Sequence, residues 1–162
     1  MKLVNLLIYS VSFLCFLLFL ILGDSVAVAI GSVPFLVLVC AAIHEAGHCL
    51  GCLLTGSPIR EVRLPLMRLH PGGLALNEDL RPVSYCSFRK NRHPWLVYLL
   101  GPVFSLLFWG ILLGCYLFLP CLALLFGSIL SLLVFLVNVI PYRNNDMGQL
   151  LRHFKSTGSP AP

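Results

Sequence analysis

The sequence predicts an all-α integral membrane protein: about four transmembrane helices, with a short membrane-associated β-hairpin between helices two and three. Three observations carry this. The 162 residues are 59% hydrophobic and only 10% charged, with a mean hydropathy of +0.94, a balance foreign to soluble single-core domains. Four apolar stretches, 3–22, 26–55, 94–119 and 121–140, each supply the roughly 20 residues a helix needs to cross a bilayer. The one long polar stretch, 56–92, carries the turn and alternation signals of a small β element.

The first stretch follows Lys2 and could be read as a signal peptide. It is long, however, and Gly23-Asp24-Ser25 makes a weak cleavage site, so a retained span is expected. The second is longer than a straight crossing, with Pro34 near its start. In the polar stretch, Ile59 to Leu64 and Leu66 to Leu69 partly alternate in polarity, His70-Pro71-Gly72-Gly73 breaks the chain, and Leu74-Ala75-Leu76 follows. This reads as a hairpin beside the membrane, with an irregular cytoplasmic loop as the alternative. The third span opens on Arg92-His93-Pro94-Trp95, an interfacial anchor with Pro at a helix start, and carries Gly101-Pro102-Val103-Phe104-Ser105, small enough for close helix approach. The fourth runs into Asn138-Val139-Ile140-Pro141, where proline must interrupt it. Beyond it, Asp146 looks like the N-cap of a further helix with Gln149 in the capping-box position. Residues 1–155 form one polytopic domain without internal repeats, and 156–162 is a small, polar, Pro-rich tail expected to be disordered.

The net charge is +5, and its placement is a topology signal. All eleven Lys and Arg residues fall at Lys2, in the 56–92 stretch, or after the fourth span, while the other connections hold Asp24 and no base. Four spans put those three segments on one side, which the positive-inside rule makes cytoplasmic. Both termini are therefore expected inside, in a multi-pass protein of a prokaryotic plasma membrane. The basicity implies attraction to the lipid bilayer surface, not nucleic-acid binding. Seven scattered cysteines do not make a disulfide framework. Cys49-Leu50-Gly51-Cys52, on an apolar helix, reads as packing.

Within the second span lies His44-Glu45-Ala46-Gly47-His48. Residues four apart stack on one helix face, so the two imidazoles can hold one metal ion. Glu45, about 100° round the helix, can act as a general base on metal-bound water, the arrangement of H-E-x-x-H zinc hydrolases. Such matches arise by chance, but an intramembrane glutamate is expensive without a partner, and a zinc ion would supply one. Catalytic zinc takes three protein ligands. Of the remaining acids, Asp24 is expected on the far side, and Asp146 lies just past the fourth span on the near side, where a Pro-broken segment could fold it back. Asp146 is thus the third ligand by elimination, although an Asp at a helix start is by itself ordinarily a cap. His70, His93 and His153 read as solvated or interfacial, and Ser105 and Cys49 have no evident base partner.

The motif on the second span, Gly101-Pro102 on the third, and Asn138-x-x-Pro141 followed by Asp146-Met147-Gly148 together resemble the site-2 protease family of intramembrane zinc metalloproteases. The resemblance runs over 33–152 and follows H-E-x-x-H, then N-x-x-P, then L-D-G in order and spacing. Asn145 stands where an apolar residue is usual, Met147 separates Asp146 from Gly148, and no PDZ domain is present. What the resemblance implies is zinc (Zn2+) held by His44, His48 and Asp146, with Glu45 as catalytic base. It also implies that Asn138 holds the substrate strand or the developing oxyanion. The implied substrate is a transmembrane or membrane-anchored protein, cleaved in a signalling cascade after local unwinding, with the hairpin edge offered as a strand partner. A homo-oligomer or a regulatory membrane partner would suit so small a core. The rival readings are a non-catalytic zinc-binding scaffold or chaperone of the same fold, and a metal transporter or sensor.

Overall fold

The computed structural model describes residues 2–22, 26–77, 84–89, 93–142 and 145–158. Five helices and four short strands follow in the order α1 (Lys2–Leu22), α2 (Val26–Thr55), β1 (Ile59–Arg63), β2 (Met67–His70), β3 (Gly73–Leu76), β4 (Tyr85–Phe88), α3 (Pro94–Phe118), α4 (Leu122–Val139) and α5 (Asp146–Gly158). Three of them, α2, α3 and α4, are long and apolar enough to cross a membrane, and α1 carries a shorter apolar segment, Leu3–Phe19. The disordered tail expected from Ser156 begins as the last turn of α5, and 159–162 lie outside the described residues, as do Asp24, Arg81, Lys90, Arg92 and Arg143 of the charge argument.

The distribution of side chains is inverted relative to a water-soluble bundle. Leu107, Ile111, Leu117 and Phe118 of α3 and Leu133 and Val137 of α4 are exposed, whereas Ser12, Ser32, Ser105, Ser128 and Ser131 are buried. Large apolar groups facing outward suit lipid, and small or hydroxyl residues between helices let backbones approach and bond across the seam. Ser131 Oγ donates to the Ser105 carbonyl at 3.1 Å, joining α4 to α3. The proline in α2 is accommodated the same way. Pro34 disturbs the local hydrogen-bond ladder, and the next amide, Phe35 N–H, donates instead to Ser12 Oγ of α1 at 2.8 Å. In a bilayer such side-chain substitution is what makes an interior proline tolerable. Phe35 also stacks against Phe13 and Phe16, with ring centroids 5.0 and 5.2 Å apart.

The helix that matters most for the site, α2, lies closely against α3. A Cβ on Gly47 would run into the Leu100 carbonyl, and one on Gly51 would stand 2.7 Å from Val97 Cα. These two glycines, one turn apart, let the α3 backbone pass within reach of His48, which lies between them.

Between α2 and α3 the chain forms a four-stranded antiparallel sheet in the order β3-β2-β1-β4. Within the segment where the sequence predicts a hairpin, β2 and β3 pair antiparallel and turn through Pro71-Gly72 with His70 opposite Gly73. Two strands extend it: β1 on the inner side of β2, and β4, which has no clear signal in the sequence. As β1 is paired on both sides, the edge nearest α2 belongs to β4, not to the Ile59–Leu76 segment. Asn77 anchors the sheet: its amide nitrogen donates to the Leu64 and Pro65 carbonyls, and its own carbonyl accepts from Asn5 of α1 at 3.4 Å.

Candidate metal centre

His44 and His48 stand on consecutive turns of α2, with 4% and 5% exposure. Their rings meet edge to face, and the two Nε2 atoms lie 3.2 Å apart. Asp146, 102 residues away in sequence, brings Oδ2 to 2.9 Å from His44 Nε2 and 3.2 Å from His48 Nε2. Donors about 2.0–2.1 Å from a tetrahedral zinc stand roughly 3.3 Å from one another. The three atoms are therefore spaced almost as that coordination requires. They are the one such group among the described residues.

The far side of each ring is also fixed. His48 Nδ1–H donates to the Val97 carbonyl at 2.7 Å, an oxygen that can only accept. Nε2 is then the nitrogen left for a cation, whether a proton shared with Asp146 or a metal. His44 Nδ1 lies 2.9 Å from Ser105 Oγ. Ser105 is thus partnered with a histidine, contrary to the sequence expectation, but it sits fully buried behind the ring, as an orienting group and not a nucleophile. Such outer hydrogen bonds set tautomer and ring direction in metal sites. The Gly101-Pro102 step acquires a specific role here, since a Cβ at residue 101 would overlap the His48 ring at Cε1 and Nε2. Gly101→Ala is expected to turn that ring and to lower zinc affinity by about 10- to 100-fold, the cost typical of a lost orienting contact. Competition against a chelator of known affinity measures it, and an unchanged affinity would refute the role.

Asp146 reaches the site through local chemistry that differs from the sequence reading. The N-cap of α5 is Asn145, not Asp146. Asn145 Oδ1 accepts from Gly148 N–H at 3.0 Å, and its carbonyl accepts the first helical bond, from Gln149 N–H at 3.0 Å. The capping-box position is consequently taken by Gly148 and not by Gln149. The Asn145 amide also donates to the Val137 and Ile140 carbonyls, which Pro141 prevents the helix from satisfying. One side chain therefore ends α4, starts α5 and leaves the Asp146 carboxylate free to point at the histidines. The turn is so tight that a Cβ on Gly148 would collide with the Tyr142 carbonyl. Burial opposes ionisation of Asp146, but hydrogen bonds from His44 and His48 and their positive charge outweigh it and hold the carboxyl at about 2.

Glu45 is 2% exposed and hydrogen-bonds Ser84, yet its Oε2 has no partner among the described residues. Burying a carboxylate oxygen without a partner is costly, so an occupant of the adjoining space is expected to receive it. That space is a cavity of about 130 Å³ lined by His44, His48, Asp146 and Glu45 together with Ser84, Tyr85, Cys86, Tyr98, Asn138 and Gln149, among others. Asn138 thus borders the same cavity, with its amide nitrogen donating to the Val134 carbonyl at 2.9 Å. His70 accepts from Gly72 N–H in the β2–β3 turn and, like His93 and His153, does not line this cavity. Ser84 and the Val97 carbonyl carried no sequence signal, and Ser105 read there only as a small residue without a base partner, because the place of each depends on packing against α2. Asn145 did stand out, as a polar residue in an apolar slot.

The donor set, two imidazole nitrogens and one carboxylate oxygen with a second carboxylate beside them whose Oε2 has no partner among the described residues, fits a divalent ion of borderline softness such as zinc. Comparison with family models, curated proteins and solved structures finds no match to this chain.

Proposed function

We propose that this chain is an intramembrane zinc metalloprotease of the site-2 protease type, hydrolysing peptide bonds of transmembrane or membrane-anchored proteins. The observation that carries the reading is the convergence of His44, His48 and Asp146 at 2.9–3.2 Å, with Glu45 Oε2 unpartnered at the same cavity, among helices suited to a bilayer. Bound there, zinc would supply Lewis acidity towards a peptide carbonyl and lower the pKa of water towards 7. Glu45 Oε2 accepts the proton of the attacking water and returns it to the leaving nitrogen, while Ser84 holds the other end of the carboxylate. Ser105 and the Val97 carbonyl keep both rings facing inward. Asn138, at the cavity wall, holds the substrate strand or the developing oxyanion.

A helical substrate hides its peptide bonds in its own hydrogen bonds and must unwind to react. The edge of β4, unpaired among the described residues and with Tyr85, Cys86 and Phe88 lining the cavity, is the place for the unwound strand to pair. In this reading α1 also crosses the bilayer: its 21 residues span about 31 Å. Four crossings put both termini and the basic segments in the cytoplasm of a prokaryotic cell. A non-catalytic scaffold would have no use for an unpartnered Glu45 oxygen beside the ligands.

The direct test uses purified chain in liposomes with a single-pass membrane protein. Cleavage is expected to stop on removal of metal by 1,10-phenanthroline and to return with added zinc. Cleavage that persists through chelation would sink the assignment.

A further inference from the structure

Three thiols meet near the C-terminal end of α2. Cys49 and Cys52, three residues apart, share one face of the helix, and Cys86 stands on β4 opposite Val62 of β1. The Cys86 thiol shares hydrogen bonds with both Cys49 and Cys52. All three are free thiols. They do not form a ligand cage, since His44, His48 and Asp146 are the one metal-competent group among the described residues. Cys52 is sealed, at 1% exposure, whereas Cys49 and Cys86 are half-buried and Cys86 lines the cavity of the metal centre. A small polar oxidant therefore has a route to the pair, and Cys49 is the accessible partner.

We propose that Cys49 and Cys86 are a redox modification site, closing to a disulfide that ties β4 to α2 beside the metal centre, with a peroxide as oxidant. One thiol attacks the peroxide O–O bond, which breaks and releases water as the sulfur becomes a sulfenic acid. The second thiol attacks that sulfur, the S–S bond forms and a second water leaves. Two thiols are oxidised and one peroxide is reduced. Thiols already in hydrogen-bond contact need little backbone movement to reach disulfide geometry. The bridge would fix β4 against the helix that carries both histidines, so the strand could no longer shift to admit an added one. The site goes beyond the proteolysis reading and does not depend on it.

The test is made on the full chain in liposomes: reduce, treat with hydrogen peroxide, block remaining thiols with iodoacetamide, and map peptides without reduction. The expected product is a Cys49–Cys86 linked peptide, two hydrogens lighter than its parts, which dithiothreitol reverses. Cys49→Ser is expected to lose that peptide, and Cys52→Ser to keep it. Recovery of Cys86 alkylated, or oxidised to sulfinic acid without a link, would overturn the proposal. So would a link to the distant Cys115 in comparable yield, or loss of the Cys49–Cys86 peptide in Cys52→Ser. Because the readout is a peptide mass, failure here and failure of the protease reading are separate results.

Discussion

Glu45→Gln is expected to reduce peptide hydrolysis by about 10²- to 10⁴-fold, the range that a positioned general base contributes, while zinc content stays at the wild-type level. The amide keeps the shape of the carboxylate and can still bond Ser84, but it cannot accept a proton from water. Folding should not suffer. Glu45 is almost fully buried with one oxygen unpartnered, so exchanging it for a neutral group removes a desolvation cost. Zinc analysis, cleavage rate and thermal unfolding of the same preparation separate the base from a structural role. Normal cleavage by the variant would eliminate Glu45 as the base, and loss of zinc would make it a ligand or a support for one.

A second large effect is expected at the start of α5, where two neighbouring residues should behave differently. Asp146→Ala removes one of three donors, and its loss of zinc affinity should exceed the about 10- to 100-fold that an orienting residue costs. Asn145→Ala leaves all three donors in place. It removes the cap on Gly148 N–H and the bonds to the Val137 and Ile140 carbonyls, costing about 1 kcal/mol for the cap alone. Its zinc affinity should fall within that 10- to 100-fold range, because the carboxylate is no longer aimed. Zinc affinity and urea unfolding of both variants decide the matter. If Asn145→Ala binds zinc as tightly as the wild type, the turn does not position Asp146, and if Asp146→Ala does, Asp146 is not a ligand.

The membrane-spanning character, the histidine pair and the β2–β3 turn could be read directly from the residues. Each is a property of contiguous chain: a long apolar run, a four-residue helical spacing, a Pro-Gly step between alternating segments. The third ligand was reached only by elimination and resemblance, since nothing local to Asp146 separates a ligand from a helix cap. In the tertiary structure Asn145 takes the cap, Pro141 leaves the carbonyls that hold Asn145 in place, and the Asp146 carboxylate stands beside both histidines. Ser105, Ser84 and the Val97 carbonyl were out of reach for the same reason, and so was β4, a four-residue strand defined by its pairing with β1. Gly47, Gly51 and Gly101 look in sequence like generic small residues. Only the packing of α3 on α2 makes them the spaces that a carbonyl, a backbone and an imidazole occupy. Local pattern thus determined which segments are apolar and long enough to cross a membrane and where the histidine pair sits. Which distant groups complete the site was decided by packing, since the energy that holds them there comes from contacts between segments far apart in the chain.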